Sequence, residues 1–130
     1  MPPDGQLALE RFRRVKALYE QHGLDYYTSF TMGQRHINNV NLIINDRDDK
    51  AMTDGARALF KALVADAASQ GYGEYRTHIS FMDEVVRTFD FNQHALLRLN
   101  ETVKDGLDPN GILAPGKSGI WPRSLRGKPS

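Results

Sequence analysis

The spacing of apolar residues predicts two long helices in the first half of the chain. One spans residues 6–22 and the other residues 51–69, because apolar side chains recur there every three or four positions. Asp4 is placed to cap the first helix, and Gly23 is placed to end it. We expect Arg11 to lie away from the apolar face, with the other charged residues of that helix. The apolar faces consist of Ala8, Phe12, Val15 and Tyr19 in the first helix and Met52, Ala56, Leu59, Phe60, Leu63 and Ala67 in the second.

Between these helices the pattern changes to the alternation that is typical of β-strands. Residues 25–33 and 36–45 are rich in aromatic and β-branched types, and a short turn separates them. They predict an antiparallel hairpin that needs further strands, from a second copy or from a part not present here, because two strands alone are marginal in water. In the second strand, Val40, Leu42 and Ile44 share one face, and Asn39, Asn41 and Ile43 share the other.

The second half of the chain predicts shorter helices and an irregular end. A short helix is expected around residues 80–88, and Asn92 is a candidate N-cap for a helix that runs to about residue 106. The segment DPNG at 108–111 predicts a turn. The predicted fold class is α+β, a two-layer arrangement of an antiparallel sheet flanked by helices, incomplete as a single chain. The apolar side of the last helix carries Leu96, Leu99, Val103 and Leu107.

Composition narrows the function classes. The chain has 130 residues, 40% of them hydrophobic, a formal net charge of +1 and no cysteine. This balance gives no reason to expect nucleic acid or a membrane as partner, and disulfides and thiolate sites are excluded. The basic segment 123–130 is expected to be a solvated tail. No secretory signal is present at the N-terminus, which predicts a cytoplasmic location.

The familiar motifs of metal, hydrolase and nucleotide sites are missing or incomplete. No two histidines have a compact metal-ligand spacing, so no metal is expected. No G-x-S-x-G elbow occurs. The string APGKSG at 114–119 lacks the full phosphate-loop pattern and follows no predicted strand. The sequence therefore contains no complete nucleotide site of its own.

The string GEYRTH at 73–78 concentrates polar chemistry in a connector between two predicted helices. In one interpretation, Tyr75 and Arg76 belong to a linking segment and contact Glu74. In the other, they recognise an anion, because arginine is charged at any accessible pH and offers a rigid fork of donors. The tyrosine hydroxyl adds a further donor. The residues alone leave both interpretations open.

Two blocks of sequence carry a resemblance to a known family. GYGEYRTHISFMD at 71–83 and LRLNETVKDGLDPNGILAPGKSGIWP at 97–122 resemble the C-terminal part of the vanillyl-alcohol oxidase and p-cresol methylhydroxylase family of FAD-linked oxidases. The resemblance runs from about residue 4 to residue 122. Members oxidise 4-alkylphenols of the vanillyl alcohol, eugenol and p-cresol type by hydride transfer to the flavin from a bound phenolate.

The resemblance implies roles for particular residues. Tyr75 and Arg76 match the catalytic pair that holds the substrate as its phenolate, and Arg76 also faces the flavin. Lys117 matches a lysine that contacts FAD, and Glu74 and Thr77 are expected beside the substrate. Residues 1–107 correspond to part of the cap domain, and residues 108–130 correspond to a tail that returns to the FAD domain.

The same resemblance implies that the FAD-binding domain is supplied elsewhere. We expect the chain to be a truncated product, an excised domain or a subunit of a split enzyme, inactive alone and paired with itself as a homo-oligomer when isolated. The competing hypothesis is a non-catalytic α+β binding or assembly module that keeps the cap fold. A further hypothesis is a subunit that completes a separately encoded flavin chain.

Overall fold

A computed structural model describes residues 1–127, which fall into two compact units, Met1–Tyr72 and the residues from Gly73 onward. The first unit contains helix α1 (Gly5–Gln21), strands β1 (Tyr27–Met32) and β2 (Ile37–Leu42) and helix α2 (Lys50–Ser69). The second contains helices α3 (Met82–Val86) and α4 (Phe91–Leu107) and short 3₁₀ turns at Ile79–Phe81 and Lys117–Gly119. The predicted order and the α+β class are confirmed. Within residues 1–127, none of the helices is long and apolar enough to cross a membrane.

Helix α1 begins and ends at the residues that the sequence predicts. The Asp4 carboxylate accepts hydrogen bonds from the backbone N–H groups of Gln6 and Leu7, at 2.8 and 3.0 Å. Gly23 follows the helix with a φ of +67°, which glycine adopts without steric cost. The core of the first unit joins residues of the two predicted apolar faces, Val15, Tyr19, Ala56, Leu59 and Leu63, with Leu24, which follows α1.

The prediction that Arg11 lies on an outer face of α1 is wrong. Arg11 is 7% exposed, and its guanidinium donates to the carboxylate of Asp66 in α2. Arg14 donates to the same carboxylate. Burial lowers the pKa of Arg11, although a guanidinium remains charged at accessible pH. The buried ion pair ties α1 to α2 beside the apolar core.

The hairpin has the predicted antiparallel pairing, with Thr28 opposite Asn41 and Phe30 opposite Asn39. One face carries a closed polar cluster: Thr28 donates to the Asn41 side chain, Asn41 donates to Asn39, and Asn39 donates to Thr28, at 2.7–3.0 Å. The Tyr19 hydroxyl donates to the Leu42 carbonyl at 3.0 Å and so links α1 to the sheet. Burial raises the pKa of Tyr19 to about 12.

The other face of the hairpin is apolar and exposed. Val40 and Leu42 lie there opposite Ser29 and Tyr27, and Ile44 follows on the same side. The alternation predicted for β2 is therefore confirmed, but its more apolar face lies outside the core of the first unit. Among the described residues directly next to β1 and β2, only Tyr26 and Ile43 pack against that core. They lie at the ends of the strands.

The start of α4 differs from the prediction. Asn92 is not the N-cap: Asp90 occupies that position, and its side chain forms no capping hydrogen bond. Asn92, Gln93 and His94 have φ values between +47° and +58°, so the regular right-handed helix begins after them. Asparagine tolerates this left-handed region better than most residues, because its short polar side chain can bond locally. An asparagine is favoured at an N-cap and also in a left-handed turn, so its presence does not distinguish the two.

The end of the chain is held on the polar face of α4. Arg126 donates to both carboxylate oxygens of Asp105, at 2.8 and 3.0 Å, and pairs with Glu101 at 3.1 Å. It also donates to the Trp121 carbonyl. Arg126 is half-buried, so the expectation of a solvated tail is wrong at this residue, and residues 128–130 lie outside the described part of the chain.

Acidification is expected to release this tail. The hydrogen bond from Arg126 holds the pKa of Asp105 below its usual value, and the Arg123 backbone N–H adds to this effect. A carboxyl with a lowered pKa favours the docked tail at pH values above the ordinary pKa of about 3.9, and this contribution is lost as the pH falls through the lowered value. Trp121 is the one tryptophan of the chain. Its emission should shift to longer wavelength below about pH 4, and Asp105→Asn should produce the shift at neutral pH. Emission that stays constant from neutral pH to pH 2 would contradict this role of Asp105.

Candidate functional site

The segment GEYRTH forms an irregular connector between α2 and the 3₁₀ turn at Ile79–Phe81. Gly71 ends the preceding helix with a φ of +73°. A Cβ atom on Gly73 would lie 2.9 Å from the Phe89 ring, which is closer than carbon atoms approach in folded proteins. Glycine at position 73 therefore allows the connector to run against that ring.

Tyr75 and Arg76 lie at a bend in the middle of this connector and are both exposed. Tyr75 is 72% exposed, and the Arg76 Cζ atom lies 5.5 Å from the centroid of the Tyr75 ring. Such an exposed cation–π contact is worth roughly 0.5–1 kcal/mol, so it orients the two groups without consuming their donors. Within residues 1–127, no carboxylate pairs with Arg76. The connector thus presents a guanidinium and a phenol hydroxyl side by side.

The residues that flank this pair differ in their environment. Glu74 is half-buried, and burial raises the pKa of its carboxyl group, while a hydrogen bond from Thr77 opposes that effect. Thr77 is half-buried as well. His78 caps the 3₁₀ turn, since its Nδ1 accepts a hydrogen bond from the Ser80 backbone N–H at 3.2 Å. His78 therefore caps the 3₁₀ turn rather than pointing to the candidate pair.

Lys117 is exposed, and it lies on a loop whose glycines allow close packing against neighbouring side chains. Gly116 has a φ of +79°, and a Cβ atom there would lie 2.5 Å from the Trp121 ring. Gly119 has a φ of +71°, and a Cβ atom there would overlap the side chain of Val86 in α3. Only glycine combines this backbone conformation with this closeness. The loop therefore fixes the backbone of Lys117 while its ammonium group remains exposed.

Sequence reasoning missed a hydrogen bond that supports this loop. The Trp121 indole N–H donates to the Asp83 carboxylate at 2.7 Å, and Asp83 lies in the first turn of α3. The Ser118 backbone N–H contacts the sulfur of Met82 at 3.1 Å. A tryptophan in the string GIWP is a visible signal, but its spacing along the chain does not identify a partner 38 positions away.

Helix α3 is the scaffold that both candidate segments share. The connector with Tyr75 and Arg76 leads into α3 through the 3₁₀ turn, and the Lys117 loop packs on Met82 and Val86. No contact joins Lys117 to Tyr75 or Arg76 within the described residues. The donors therefore form two separate groups, Tyr75 with Arg76 and Lys117 alone. Helix α3 adjoins the segments that carry both groups.

The comparisons with known proteins agree on one family. The sequence profile of FAD linked oxidases, C-terminal domain, matches residues 7–118. The chain is 33% identical over 106 residues to the 4-cresol dehydrogenase [hydroxylating] flavoprotein subunit of Pseudomonas putida. That match covers 82% of this chain and 20% of the relative.

Two solved structures resemble the chain closely. The 4-ethylphenol oxidase from Gulosibacter chungangensis, in an isoeugenol complex, matches with a TM-score of 0.94 and 40% identity over 97% of this chain and 24% of its own. The p-cresol methylhydroxylase structure with substrate bound matches with a TM-score of 0.81 and 31% identity over 86% of this chain and 21% of its own. The chain thus spans about a fifth to a quarter of the length of these relatives.

Proposed function

The chain belongs to the FAD-linked oxidases through their C-terminal domain, and from this premise we propose that it is the C-terminal part of a flavoprotein that oxidises 4-alkylphenols. The relatives support this substrate class, because their names specify 4-cresol, p-cresol and 4-ethylphenol. The fraction of those relatives that the chain spans supports its being a fragment or a subunit. The FAD-binding domain is then its partner, and we extend the proposal to self-association of the isolated chain and to a cytoplasmic location.

The proposed task of Tyr75 and Arg76 is to ionise the phenol. A free phenol has a pKa of about 10, so forming the phenolate at pH 7 costs about 4 kcal/mol. A guanidinium about 4 Å away returns about 4 kcal/mol at an effective dielectric constant near 20. The charge of Arg76 therefore balances the cost, and a hydrogen bond from the Tyr75 hydroxyl favours the anion further. The phenol proton passes to solvent, which is the reference for the cost at pH 7, and the phenolate oxygen keeps the electron density that drives oxidation at the para carbon.

The observation that carries this proposal is the exposed, uncommitted pair. A guanidinium already paired with a carboxylate would have no net charge to offer an anionic substrate. Arg76 contacts the neighbouring Tyr75 ring and, in the described part of the chain, no carboxylate. Glu74, the acidic neighbour, is half-buried, and burial raises the pKa of its carboxyl group.

The donor set also fits a contribution to a flavin site. We propose that Arg76 and Lys117 contact FAD, since both present exposed cationic donors and a flavin offers carbonyl, ring-nitrogen and phosphate acceptors. FAD, when bound, supplies the acceptor of the hydride that leaves the substrate. The glycines at 116 and 119 press the Lys117 loop against its own neighbours, so they do not form a cradle for a dinucleotide. Most of the flavin site must therefore come from the partner domain.

The test is Tyr75→Phe in a chimera that carries this chain in place of the matching segment of the 4-ethylphenol oxidase. We expect turnover of 4-ethylphenol to fall by about 10-fold, because one hydrogen bond to a charged group is worth about 1.5–3 kcal/mol and Arg76 remains. Flavin content should stay the same.

Tyr27→Phe is the matched control, since Tyr27 is another exposed tyrosine that lies outside the connector. The 130-residue chain alone is a second control, and it should acquire no stoichiometric flavin absorbance when mixed with FAD. Equal turnover of the Tyr75→Phe chimera and its parent would refute the proposed role of the hydroxyl. Stoichiometric flavin on the isolated chain would refute the division of the site between two domains.

A further inference from the structure

The connector that carries the candidate pair is held at both of its ends. At its start, a Cβ atom on Gly73 would lie 2.9 Å from Cε1 and 3.0 Å from Cζ of the Phe89 ring. At its end, the His78 side chain caps the 3₁₀ turn that leads into α3. The segment 73–89 is thus closed on itself by a contact between its first and last residues.

Gly73 is required for space and not for backbone freedom. Its φ lies outside the left-handed region, whereas the φ of Gly71 lies inside it. Any L-residue could therefore adopt the backbone of Gly73. The three atoms nearest to a Cβ atom at this position all belong to the Phe89 ring. One side chain therefore decides whether position 73 tolerates anything larger than glycine.

The backbone of Phe89 is anchored at the end of α3. Its N–H donates to the Val86 carbonyl at 3.3 Å. The preceding residue, Thr88, donates to the carbonyl of Val85 through its backbone N–H and its hydroxyl, at 3.0 and 2.8 Å. Val85 is buried, whereas Phe89 is 38% exposed. The ring therefore projects from a fixed backbone, and a smaller side chain at position 89 leaves the buried residues in place.

We propose that the contact between Gly73 and Phe89 sets the position of Tyr75 and Arg76, so that Phe89 is a positioning residue for the substrate site. The catalytic consequence rests on the proposed function, because there the two side chains hold a phenolate. Tyr75 and Arg76 lie two and three residues after Gly73, and His78 fixes the chain again only after them. Among the described residues, no ion pair of Arg76 opposes a shift of this backbone.

A small displacement of the connector is enough to affect the phenolate. Carbon atoms pack at about 3.5–4.0 Å, so a methyl group at position 73 requires a shift of about 0.5–1 Å. A guanidinium that moves from about 4 to about 5 Å from the phenolate oxygen loses about a fifth of its attraction. This corresponds to about a fourfold loss of phenolate at pH 7. The hydrogen bond from Tyr75 weakens as well when its alignment is lost.

The first measurement uses the 130-residue chain itself. Gly73→Ala should change the amide chemical shifts of Tyr75 and Arg76 in heteronuclear NMR spectra. Phe89→Leu should cancel most of that change, because leucine lacks the Cε1 and Cζ atoms that the methyl group would meet. Gly106→Ala is the matched control, since a Cβ atom there meets no atom within 4 Å. Circular dichroism verifies that each variant is folded.

The second measurement is turnover of 4-ethylphenol by the chimera. Gly73→Ala should lower turnover by about 10-fold at pH 7, with unchanged flavin content. The deficit should shrink as the pH approaches about 10, because the phenol then ionises without help. In the Phe89→Leu background, Gly73→Ala should lower turnover by less than about twofold, since the two positions are coupled through one contact.

Three results would overturn the inference. Unchanged amide shifts, or unchanged turnover in a chimera that Tyr75→Phe impairs, would show that the ring rotates aside without moving the pair. An equal deficit of Gly73→Ala in the Phe89→Leu background would show that the contact is not its cause. A deficit of the same size at every pH would show a structural defect instead of a displaced cation.

Failure of the proposed function gives a different set of results. Amide shifts that Gly73→Ala changes and Phe89→Leu restores would confirm the positioning contact in the chain itself. If Tyr75→Phe and Arg76→Ala then left turnover of the chimera unchanged, the contact would stand, and the assignment of the pair to a phenolate would be refuted.

Discussion

Replacing Arg76 by alanine in the chimera should lower turnover of 4-ethylphenol by about 10³-fold at pH 7. The charge of Arg76 is assigned about 4 kcal/mol of phenolate stabilisation, and each 1.36 kcal/mol corresponds to a factor of ten in rate. Turnover of Arg76→Lys should lie between that of Arg76→Ala and that of the parent chimera, because lysine keeps the charge but lacks the planar fork of donors. The folded state should persist, since Arg76 is exposed and contacts the ring of Tyr75.

The pH profile separates this role from a structural one. A substrate phenol ionises without help as the pH approaches about 10, so the deficit of Arg76→Ala should shrink at high pH. A variant that merely distorted the connector would show the same deficit at every pH. Arg13→Ala is the matched control, because Arg13 is an exposed arginine of α1 far from the connector in sequence. Unchanged turnover of Arg76→Ala at pH 7 would remove Arg76 from the proposed mechanism.

Replacing Asp66 by alanine should destabilise the first unit by about 3 kcal/mol, because removal of one partner leaves a buried charge without compensation. That charge is Arg11, which is 7% exposed. Urea unfolding followed by circular dichroism measures the change. Trp121 lies in the second unit, so its fluorescence should be unaffected by the substitution and reports whether the effect is confined to the first unit.

Two further variants complete this test. The double variant Arg11→Met with Asp66→Ala should recover most of the loss, since apolar side chains can replace a buried ion pair at little cost. Asp54→Ala breaks the exposed pair of Lys50 and Asp54, and we expect a much smaller loss of stability than for Asp66→Ala. Equal stability losses for Asp66→Ala and Asp54→Ala would show that the buried pair has no special weight.

Local signals in the sequence predict the elements well, and non-local partners explain the errors. The helix periods, the Asp4 cap and the glycine stop at Gly23 act within a few residues, so they can be identified without a structure. The burial of Arg11 depends on Asp66, which lies 55 positions away. Single-sequence periodicity has no access to that pairing, and it places any arginine on a solvated face.

Local sequence also does not decide the roles of the candidate site residues. From the residues alone, Tyr75 and Arg76 are compatible with a plain linker and with an anion site. The resemblance supplies their expected roles, and the structure adds that both are exposed. The bond from Trp121 to Asp83, which supports the Lys117 loop, joins two segments that nothing local relates.

The apolar face of α4, which also includes Leu107, shows that periodicity does not report whether a face is buried. The pattern of Leu96, Leu99 and Val103 correctly predicts a helix with one apolar side. It also suggests that this side is buried in the unit that contains it, and here it is exposed. Periodicity indicates which residues share the apolar face, and it does not identify the polypeptide that covers that face.

The outward face of the hairpin limits how the isolated chain can be redesigned for laboratory use. Val40 and Leu42 lie outside the core of the first unit, so polar replacements there would raise solubility without creating a cavity. Such a variant suits spectroscopy of the isolated chain, whereas a polypeptide that packs on this face under the proposed function would lose apolar contacts to it. A crystallisation variant and a complementation variant of this chain therefore need to be made separately.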